Sequence, residues 1–316
     1  MDVRIKSAQI QYFRSIKDLN LNFSPEITLL VGPNGGGKSN ILRALAIKFS
    51  KSVPSGNNTN PYFQQHPYYI DFKIMEGNLV QQSTPLPFQS KISFPMTLPQ
   101  QRAFPGNQCF FMSPIRNYIS TSQAISNYSQ LSSDGSNLPG AFIYWLTSDP
   151  WPQRYELFME RIRRIMPEIK KISAPYTGSN VILRIDIEKG KEVLNITADD
   201  ATTGTLDTIF LIFVIQIFPG GSVYLLDSPD SHLHAGSQVE IMKLFREVAK
   251  SESKQFIIAT HSPTLVNMCS PEEVILVRKK GLWTTAERVS DLSEVLSVLE
   301  NTDATLADIA SSFEPA

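Results

Sequence analysis

The sequence predicts an α/β fold, and three observations lead to that prediction. Short apolar runs typical of buried parallel strands occur at residues 27–31, 223–226 and 256–259. Helical periodicity follows the first run, and a second helix is expected at about residues 236–250, between the other two runs. A glycine-rich segment, residues 32–37, joins the first of these strands to the first helix.

The remaining elements are predicted from the same periodicities along the chain. Further strands are expected at residues 3–10, 19–23, 68–75, 88–94, 181–187 and 192–197, the last two as a hairpin around residues 189–190. Helices are expected at residues 152–171, with Pro152 in the first turn, and at residues 206–218, where an apolar helix should be buried. Segments rich in Ser, Asn, Pro or Gly are expected to be loops, at residues 51–67, 95–107 and 120–140, the last of them mobile.

Composition is that of an ordinary globular protein with no overall attraction to nucleic acid or membrane. The 316 residues are 42% hydrophobic and 19% charged, and the net charge is −1. Cys109 and Cys269 lack metal-ligand spacing and are expected to be free thiols. The longest apolar run, residues 209–218, contains Gln216 and is too short to span a bilayer. We therefore expect a cytoplasmic protein that makes no membrane contact.

Residues 32–39 carry the most specific motif in the chain. They read Gly-Pro-Asn-Gly-Gly-Gly-Lys-Ser and match G-x-x-x-x-G-K-[ST] at every fixed position, between a predicted strand and a predicted helix. Glycines let successive backbone N–H groups turn inward and bind phosphate oxygens at a helix N-terminus. Lys38 is expected to reach the β- and γ-phosphates, and the Ser39 hydroxyl to ligate Mg²⁺. The motif predicts binding of a nucleoside triphosphate with magnesium.

Two later segments extend this prediction. The apolar strand at residues 223–226 runs into Asp227, an acid placed to hold the magnesium through water opposite Ser39. The strand at residues 256–259 delivers His261 to the carboxyl edge of the sheet, where ligands bind in open α/β sheets. A histidine at that edge can donate a hydrogen bond to a γ-phosphate and respond to its loss.

Together these segments resemble the ABC-type ATPase heads of the SMC/RecF/OLD group. The matching residues are Tyr12 to Ser15, Gly32 to Ser39, Asp227 to His234 and Ala259 to Pro263, with a degenerate signature motif at Thr202 to Thr205. The resemblance covers about residues 1–48 and 195–280. It implies a P-loop NTPase head with a mixed central sheet, an antiparallel N-terminal β subdomain and a helical lobe, without a coiled coil or a Toprim nuclease domain.

The resemblance also implies a domain organisation and a set of site residues. Residues 1–316 are expected to form a single split ATPase domain, with a core from residues 1–50 and 195–280, an inserted lobe at 51–194 and a C-terminal extension at 281–316. Such heads bind ATP between two protomers, so that Thr202 and Gly204 would contact the γ-phosphate on the partner. The implied nucleotide contacts are Arg14, Asn34, Gly35, Gly36, Gly37, Lys38, Ser39 and Asn40. Lys38, Asp227 and His261 are the implied catalytic residues, and Ser39 and Asp227 the implied metal ligands.

One departure from the family pattern bears on catalysis. The family has Asp-Glu-Pro-Glu where this chain has Asp227, Ser228, Pro229 and Asp230. Ser228 thus stands at the position of the general base, and a serine hydroxyl is a very weak base at neutral pH. Loss of a positioned base slows a reaction by ~10²–10⁴-fold. Hydrolysis is expected to be slow or absent unless the loop turns so that Asp230 takes the role.

Two clusters have competing interpretations. His232 and His234 are expected to be packed or dimer-contact residues, with metal binding as the alternative. A basic helix surface is expected to be a solvated face, with DNA or RNA contact as the alternative, and comprises Arg161, Arg163, Arg164, Lys170 and Lys171. Residues 110–116 are either a core strand followed by a surface arginine or a strand–arginine element of the group.

Three functions fit the sequence. The first is an ATP switch that forms a homodimer or higher homo-oligomer and regulates a separate nucleic-acid-processing effector, a nuclease in anti-phage defence. The second is a non-catalytic scaffold that stays bound to ATP, which Ser228 favours. The third is a RecF-like ATPase of DNA repair and recombination, which the near-zero net charge does not support. We expect no nuclease within residues 262–316, so any nuclease would be a separate chain.

Overall fold

The fold is taken from a computed structural model of the chain. It describes residues 3–49, 69–76, 79–82, 109–112, 138–148, 152–177, 180–218 and 220–300. The predicted strand at residues 88–94, Arg116, and the predicted loops at residues 51–67 and 95–107 lie outside the described residues, as does the predicted loop at 120–140 up to residue 137.

The described residues form fifteen strands, seven α-helices and a 3₁₀ helix at Pro271–Glu273. The strands are β1 (Val3–Phe13), β2 (Ile16–Asn22), β3 (Ile27–Val31), β4 (Tyr69–Glu76), β5 (Leu79–Gln82), β6 (Cys109–Met112), β7 (Ile169–Ser173), β8 (Tyr176–Thr177), β9 (Asn180–Val181), β10 (Arg184–Lys189), β11 (Glu192–Thr197), β12 (Val223–Asp227), β13 (Gln255–Thr260), β14 (Val274–Lys280) and β15 (Trp283–Arg288). The helices are α1 (Lys38–Phe49), α2 (Leu138–Ser148), α3 (Pro152–Ile165), α4 (Thr203–Ile217), α5 (Ala235–Ser251), α6 (Pro263–Val266) and α7 (residues 292–300).

A mixed central sheet organises the fold, as the sequence predicts. Its strand order is β15-β14-β3-β13-β12-β6, with the first pair antiparallel and all the others parallel. Every residue of β3, β12 and β13 is buried because both faces of the sheet are covered. The side chains of Leu29 and Val31 contribute to one core cluster and that of Leu30 to the other. This two-sided burial explains the continuous apolar runs in the sequence.

Helix α1 and an antiparallel sheet contribute to the core on one face of the central sheet. The antiparallel sheet has the order β2-β1-β4-β5 and corresponds to the predicted N-terminal β subdomain. Ile41, Leu42 and Leu45 of α1 share a buried cluster with Ile10 and Phe13 of β1. The helix that begins at the phosphate loop is therefore anchored by apolar side chains from both sheets.

The other face of the central sheet carries the helical lobe. Helix α4 is buried along most of its length, including Phe210 and Phe213, as predicted for an apolar helix without a polar face. Phe142 of α2 packs against Phe213 with ring centroids 4.9 Å apart. The sequence prediction contained no helix at α2, whose residues were assigned to a loop as far as residue 140.

The prediction of a helix at residues 152–171 is wrong at its C-terminal end. Helix α3 ends at Ile165, and residues 169–173 form strand β7, which pairs with β10 in a second antiparallel sheet. Pro167 ends the helix because a proline cannot donate the backbone hydrogen bond that would continue it. The predicted hairpin is confirmed as β10 and β11, and the two cysteines are buried free thiols.

The predicted basic helix surface is also corrected. Arg161 is buried, with Nη2 2.8 Å from Glu252 Oε1 and Nη1 donating to Gln216 Oε1 at 2.8 Å. Three other members lie near acids, in the pairs Arg163–Glu156, Arg164–Glu247 and Lys170–Glu188. Lys170 and Lys171 lie on β7 rather than on the helix. The surface is balanced in charge and does not present the clustered free cations that phosphate binding requires.

No helix within the described ranges is both long enough and apolar enough to cross a membrane.

Candidate nucleotide site

The phosphate loop follows β3 and has a backbone that only glycine fits at two positions. Gly32 has a φ of 148°, and a Cβ there would lie 2.0 Å from the carbonyl oxygen of Val277 on β14. Gly37 has a φ of 112°, and a Cβ there would lie 2.1 Å from Thr284 Oγ1 on β15. The loop is therefore packed directly against the β14–β15 hairpin, which contains a strand that the sequence prediction assigned to a C-terminal extension.

Lys38 is held inside this loop. Its side chain is buried, and Nζ donates to the carbonyl oxygens of Gly32 at 2.7 Å and Pro33 at 3.0 Å. Burial lowers the pKa of the Lys38 ammonium, and the negative charges of Asp227 and Asp230 oppose that effect. The ammonium thus lies in the field of both acids, at the base of the predicted phosphate site.

Neighbouring strand ends bring the predicted catalytic residues to one edge of the sheet. Val31 pairs with Thr260 and Asp227 pairs with Ala259, so β3, β13 and β12 end side by side. Asp227 is buried, whereas His261 immediately follows β13 and is exposed. Ser39 is half-buried in the first turn of α1. Hydroxyl and carboxylate oxygens at Ser39 and Asp227 are hard donors suited to magnesium, so these residues fit the predicted ion.

The chain turns sharply after Asp227. Ser228 has a φ of 51°, in the left-handed region that non-glycine residues rarely adopt, and its N–H donates to Ala259 O at 2.9 Å. Asp230 is only 3% exposed, and its Oδ2 accepts a hydrogen bond from the Thr260 hydroxyl at 2.8 Å. Its Oδ1 has no hydrogen-bond partner within the described part of the chain. Burial raises the pKa of Asp230.

Asp230 and Gln238 hold the residues on both sides of His261. The Thr260 hydroxyl, which donates to Asp230, accepts from the Ser262 N–H at 2.9 Å. The Ser262 hydroxyl donates to Gln238 Oε1 at 2.6 Å, and Gln238 Nε2 donates to the Asp230 carbonyl oxygen at 3.3 Å. The loop after β12, which carries Asp230, is therefore joined by hydrogen bonds to residues 260–262, the segment that carries His261. The sequence analysis did not single out Gln238, because no short motif contains it.

Arg14 and Asn40, two predicted nucleotide contacts, are brought together. Arg14 lies in the turn between β1 and β2 with a φ of 51°, and its Nη1 donates to Asn40 Oδ1 at 3.4 Å. Burial lowers the pKa of Arg14, and the charge of Arg43 acts in the same direction. Asn34 and Gly35 are exposed in the loop between β3 and α1.

The degenerate signature motif forms the start of α4. Thr202 is the N-cap, and its hydroxyl accepts from the Thr205 N–H at 3.3 Å while the residue remains exposed. A Cβ at Gly204 would lie 2.5 Å from His232 Cβ, so glycine permits close contact between the signature segment and the loop after β12. His232 and His234 are exposed, and His232 lies close against Gly204, so their interpretation as packed or dimer-contact residues stays a prediction. Among the described residues no group of three His, Cys, Asp or Glu could hold a metal ion.

Two protein-family models match this chain. One is described as an AAA domain, putative AbiEii toxin, Type IV TA system, and matches residues 111–267; the other is described as an AAA domain and matches residues 7–101. A DNA double-strand break repair Rad50 ATPase from Methanococcus maripaludis is 43% identical over 54 residues, which is 17% of this chain and 5% of that protein. A DNA replication and repair protein RecF from Clostridioides difficile is 43% identical over 51 residues, 16% of this chain and 14% of that protein.

Solved structures show the same fold over most of the chain. An SMC head domain from Thermotoga maritima superposes with a TM-score of 0.51 at 17% identity, covering 91% of this chain and all of that one. An Smc head domain with an extended coiled coil, bound to the C-terminal domain of ScpA from Pyrococcus furiosus, gives 0.56 at 14% identity, covering 95% of this chain and 99% of that one. The predicted fold class, an α/β P-loop ATPase head, is confirmed.

Proposed function

We propose that this chain is an ABC-type P-loop ATPase head of the SMC/RecF-like group and that it is an ATP-binding switch that acts on a separate effector. The observation that carries the proposal is the convergence of Lys38, Asp227 and His261 at adjoining strand ends. We also propose one split ATPase domain, since β3, β6 and β15 come from distant parts of the sequence and share one sheet.

Each site residue has a role that follows from its chemistry. Backbone N–H groups at Gly35 and Gly37 bind phosphate oxygens. The Gly36 N–H, which donates to Pro33 O at 3.1 Å, and the Lys38 ammonium exchange their loop carbonyls for phosphate oxygens, the ammonium for those of the β- and γ-phosphates. Ser39 and Asp227 would hold Mg²⁺, which would supply positive charge against the phosphates. His261 is exposed beside this site and donates to the γ-phosphate. Arg14, Asn34 and Asn40 complete the contacts to the nucleotide.

Closure of two heads around ATP is the proposed switch. Thr202 and Gly204 are proposed to contact the γ-phosphate bound by the partner copy, so that ATP stabilises the closed homodimer or a higher homo-oligomer. The exposed Thr202 N-cap is available for such a contact, whereas Gly204 is buried beneath the exposed His232 and would reach the phosphate only after the loop that carries His232 moves. Binding of ATP and dimerisation would then be coupled, because neither half of the site is complete alone.

The effector is proposed to be a nucleic-acid-processing protein, a nuclease in anti-phage defence. The family model that names a putative AbiEii toxin supports a role in defence, and the DNA-repair relatives support a connection to nucleic acid. Direct contact of the complex with DNA or RNA is part of this proposal. A RecF-like repair function is the alternative that the RecF match supports, although that match covers only 16% of this chain.

A non-catalytic scaffold remains a second candidate because of one observation. Ser228 stands at the position of the general base, and the Asp230 carboxylate is committed to Thr260. Neither residue offers an accessible carboxylate next to the phosphate site, so ATP would be held with slow hydrolysis or none.

Nucleotide-dependent assembly tests the switch. Purified chain and the Lys38→Ala variant are compared by mass photometry with and without ATP and magnesium, with Lys17→Ala, an exposed β2 lysine, as the control. We expect ATP to raise the dimer fraction of the wild type and of Lys17→Ala but not of Lys38→Ala. An identical oligomer in all three, with and without ATP, would contradict the switch. Phosphate release that Lys38→Ala abolishes would exclude the scaffold.

A further inference from the structure

The hydroxyl of Thr284 on β15 lies where three parts of the site meet. It donates to the Gly36 carbonyl oxygen of the phosphate loop at 3.2 Å and is 2.7 Å from Ser15 Oγ. The backbone N–H of Thr284 donates to the Ser15 carbonyl oxygen at 2.8 Å. Thr284 is 2% exposed although it lies near the end of an edge hairpin. One buried residue therefore bonds both the phosphate loop and the β1–β2 turn.

The Thr284 and Ser15 hydroxyls belong to a chain of hydrogen bonds whose donors all point in the same direction. Thr284 has a single hydroxyl hydrogen, and when it is donated to Gly36 O, Ser15 must be the donor of the Ser15–Thr284 bond. Asn40 Nδ2 donates to Ser15 Oγ at 2.8 Å, and Arg14 Nη1 donates to Asn40 Oδ1. The chain runs without a break from the Arg14 guanidinium to the backbone of the phosphate loop. Bonds in such a chain polarise and strengthen one another.

Two unusual backbone conformations lie next to these contacts. Tyr12 and Arg14 both have positive φ, 55° and 51°, although neither is glycine. Residues in this region persist where surrounding contacts hold them, and they cluster at functional sites. The two backbone and side-chain bonds from Thr284 to Ser15 supply such contacts at the next residue of the turn.

We propose that Thr284 is a positioning residue of the nucleotide site, fixing the Arg14 turn against the phosphate loop so that both contact ATP in register. The role rests on the proposed binding of ATP at residues 32–39. Its effect on the nucleotide is indirect, through Ser15, Asn40 and the Gly36 carbonyl. Removal of the Thr284 hydroxyl leaves buried partners unsatisfied and frees the turn to move relative to the loop.

The test is ATP affinity, measured on the full chain by isothermal titration calorimetry with ATP and magnesium. We expect Thr284→Ala to weaken ATP binding by about 5- to 30-fold, because the freed turn has to be ordered against the phosphate loop when ATP binds. Thr284→Ser keeps the hydroxyl and should bind within about 2-fold of wild type. Thr285→Ala is the matched control, since Thr285 is the exposed next residue of the strand.

A second measurement separates positioning from general stability. Asn40 and Ser15 link Arg14 to Thr284 in this chain of bonds, so a double-mutant cycle of Arg14→Ala with Thr284→Ala reports coupling through it. We expect the Arg14→Ala effect on ATP affinity to be largely lost in the Thr284→Ala background. Full additivity, or Thr284→Ala equal to wild type while wild type binds ATP, would overturn the positioning role alone. Failure of the wild type to bind ATP would overturn the proposed function, and this role with it.

Discussion

Asp230→Asn is expected to make the folded protein more stable at neutral pH, although it alters a buried residue of the site. The carboxylate is almost fully enclosed, one oxygen accepts from Thr260, and the other has no partner within the described residues. Asparagine keeps an oxygen for the Thr260 hydroxyl and removes the buried charge. A neutral buried group without a partner costs about 1–3 kcal/mol and a charged one costs more, so exchanging the anionic oxygen for an unpaired NH2 group, with loss of the attraction to Lys38, should leave a net gain of about 1–2 kcal/mol.

The expected gain depends on pH with a definite sign. Burial raises the pKa of Asp230 above its ordinary 3.8, so the folded state binds this proton more tightly than the unfolded state. The stability associated with that proton is complete below the ordinary pKa and is lost as the pH rises through the folded value. The free energy of unfolding of wild type should therefore drop below that of Asp230→Asn between acidic and neutral pH, and the two values should become equal near pH 3.

Urea unfolding followed by circular dichroism at several pH values measures this difference. Asp18→Asn, an exposed change on β2, is the control and should stay within about 0.5 kcal/mol of wild type at every pH. Our reasoning would be refuted by an Asp230→Asn variant that is less stable than wild type at neutral pH. It would be refuted equally by a stability difference that does not change with pH.

Three further predictions concern catalysis, the core and the phosphate loop. Ser228→Glu should raise the rate of phosphate release by ~10²–10⁴-fold, because it restores a carboxylate at the general-base position; unchanged turnover in a variant that still binds ATP would argue against this. Glu252→Gln should destabilise the fold by about 2–4 kcal/mol in urea titrations, because the fully buried Lys254 ammonium, 2.5 Å from Glu252, loses its counter-charge. Gly32→Ala should abolish ATP binding in calorimetry, since the Val277 carbonyl occupies the space of a Cβ; binding at wild-type affinity would show that the loop adapts.

The central strands and the phosphate loop could be predicted because their signals are local. A strand covered on both faces has to be apolar at every position, and β3 and β12 show this directly in the sequence. The loop motif is likewise local, since its glycines are required by backbone conformation and by contact with Val277 and Thr284. Both predictions depend on fewer than ten consecutive residues, a range in which tertiary context adds little.

The errors fall where local signals conflict. Ile165, Ile169 and Ile172 are spaced as on one face of a helix, so the pattern continued past the true end of α3 at Ile165. Pro167 was the contrary signal. Helix α2 was not predicted for two reasons. Pro139 and Gly140 at its start are residues typical of loops. Seven of its residues are buried, so the sequence lacks the alternation of apolar and polar faces that gives a helical periodicity.

Thr284 could not be found from the sequence for a different reason. Its partners Ser15 and Gly36 are more than 240 residues away along the chain, and no spacing rule connects them. Only the sheet order, which places β14 beside β3, brings the hairpin to the phosphate loop. Threonine in an edge strand is also ordinary, so the residue type carries no signal by itself.

The arrangement around Ser228 favours a switch governed by ATP binding over one governed by rapid hydrolysis. The phosphate loop, Lys38 and Asp227 are the groups that we propose to hold the nucleotide, and none of them depends on a general base. The acid that the sequence offers as a substitute, Asp230, instead ties the loop after β12 to Thr260 beside His261. A movement of His261 on loss of the γ-phosphate would be transmitted to the loop that carries His232 through the Thr260–Asp230 hydrogen bond. In the proposed function, a slow reaction would then set how long two heads stay closed around ATP.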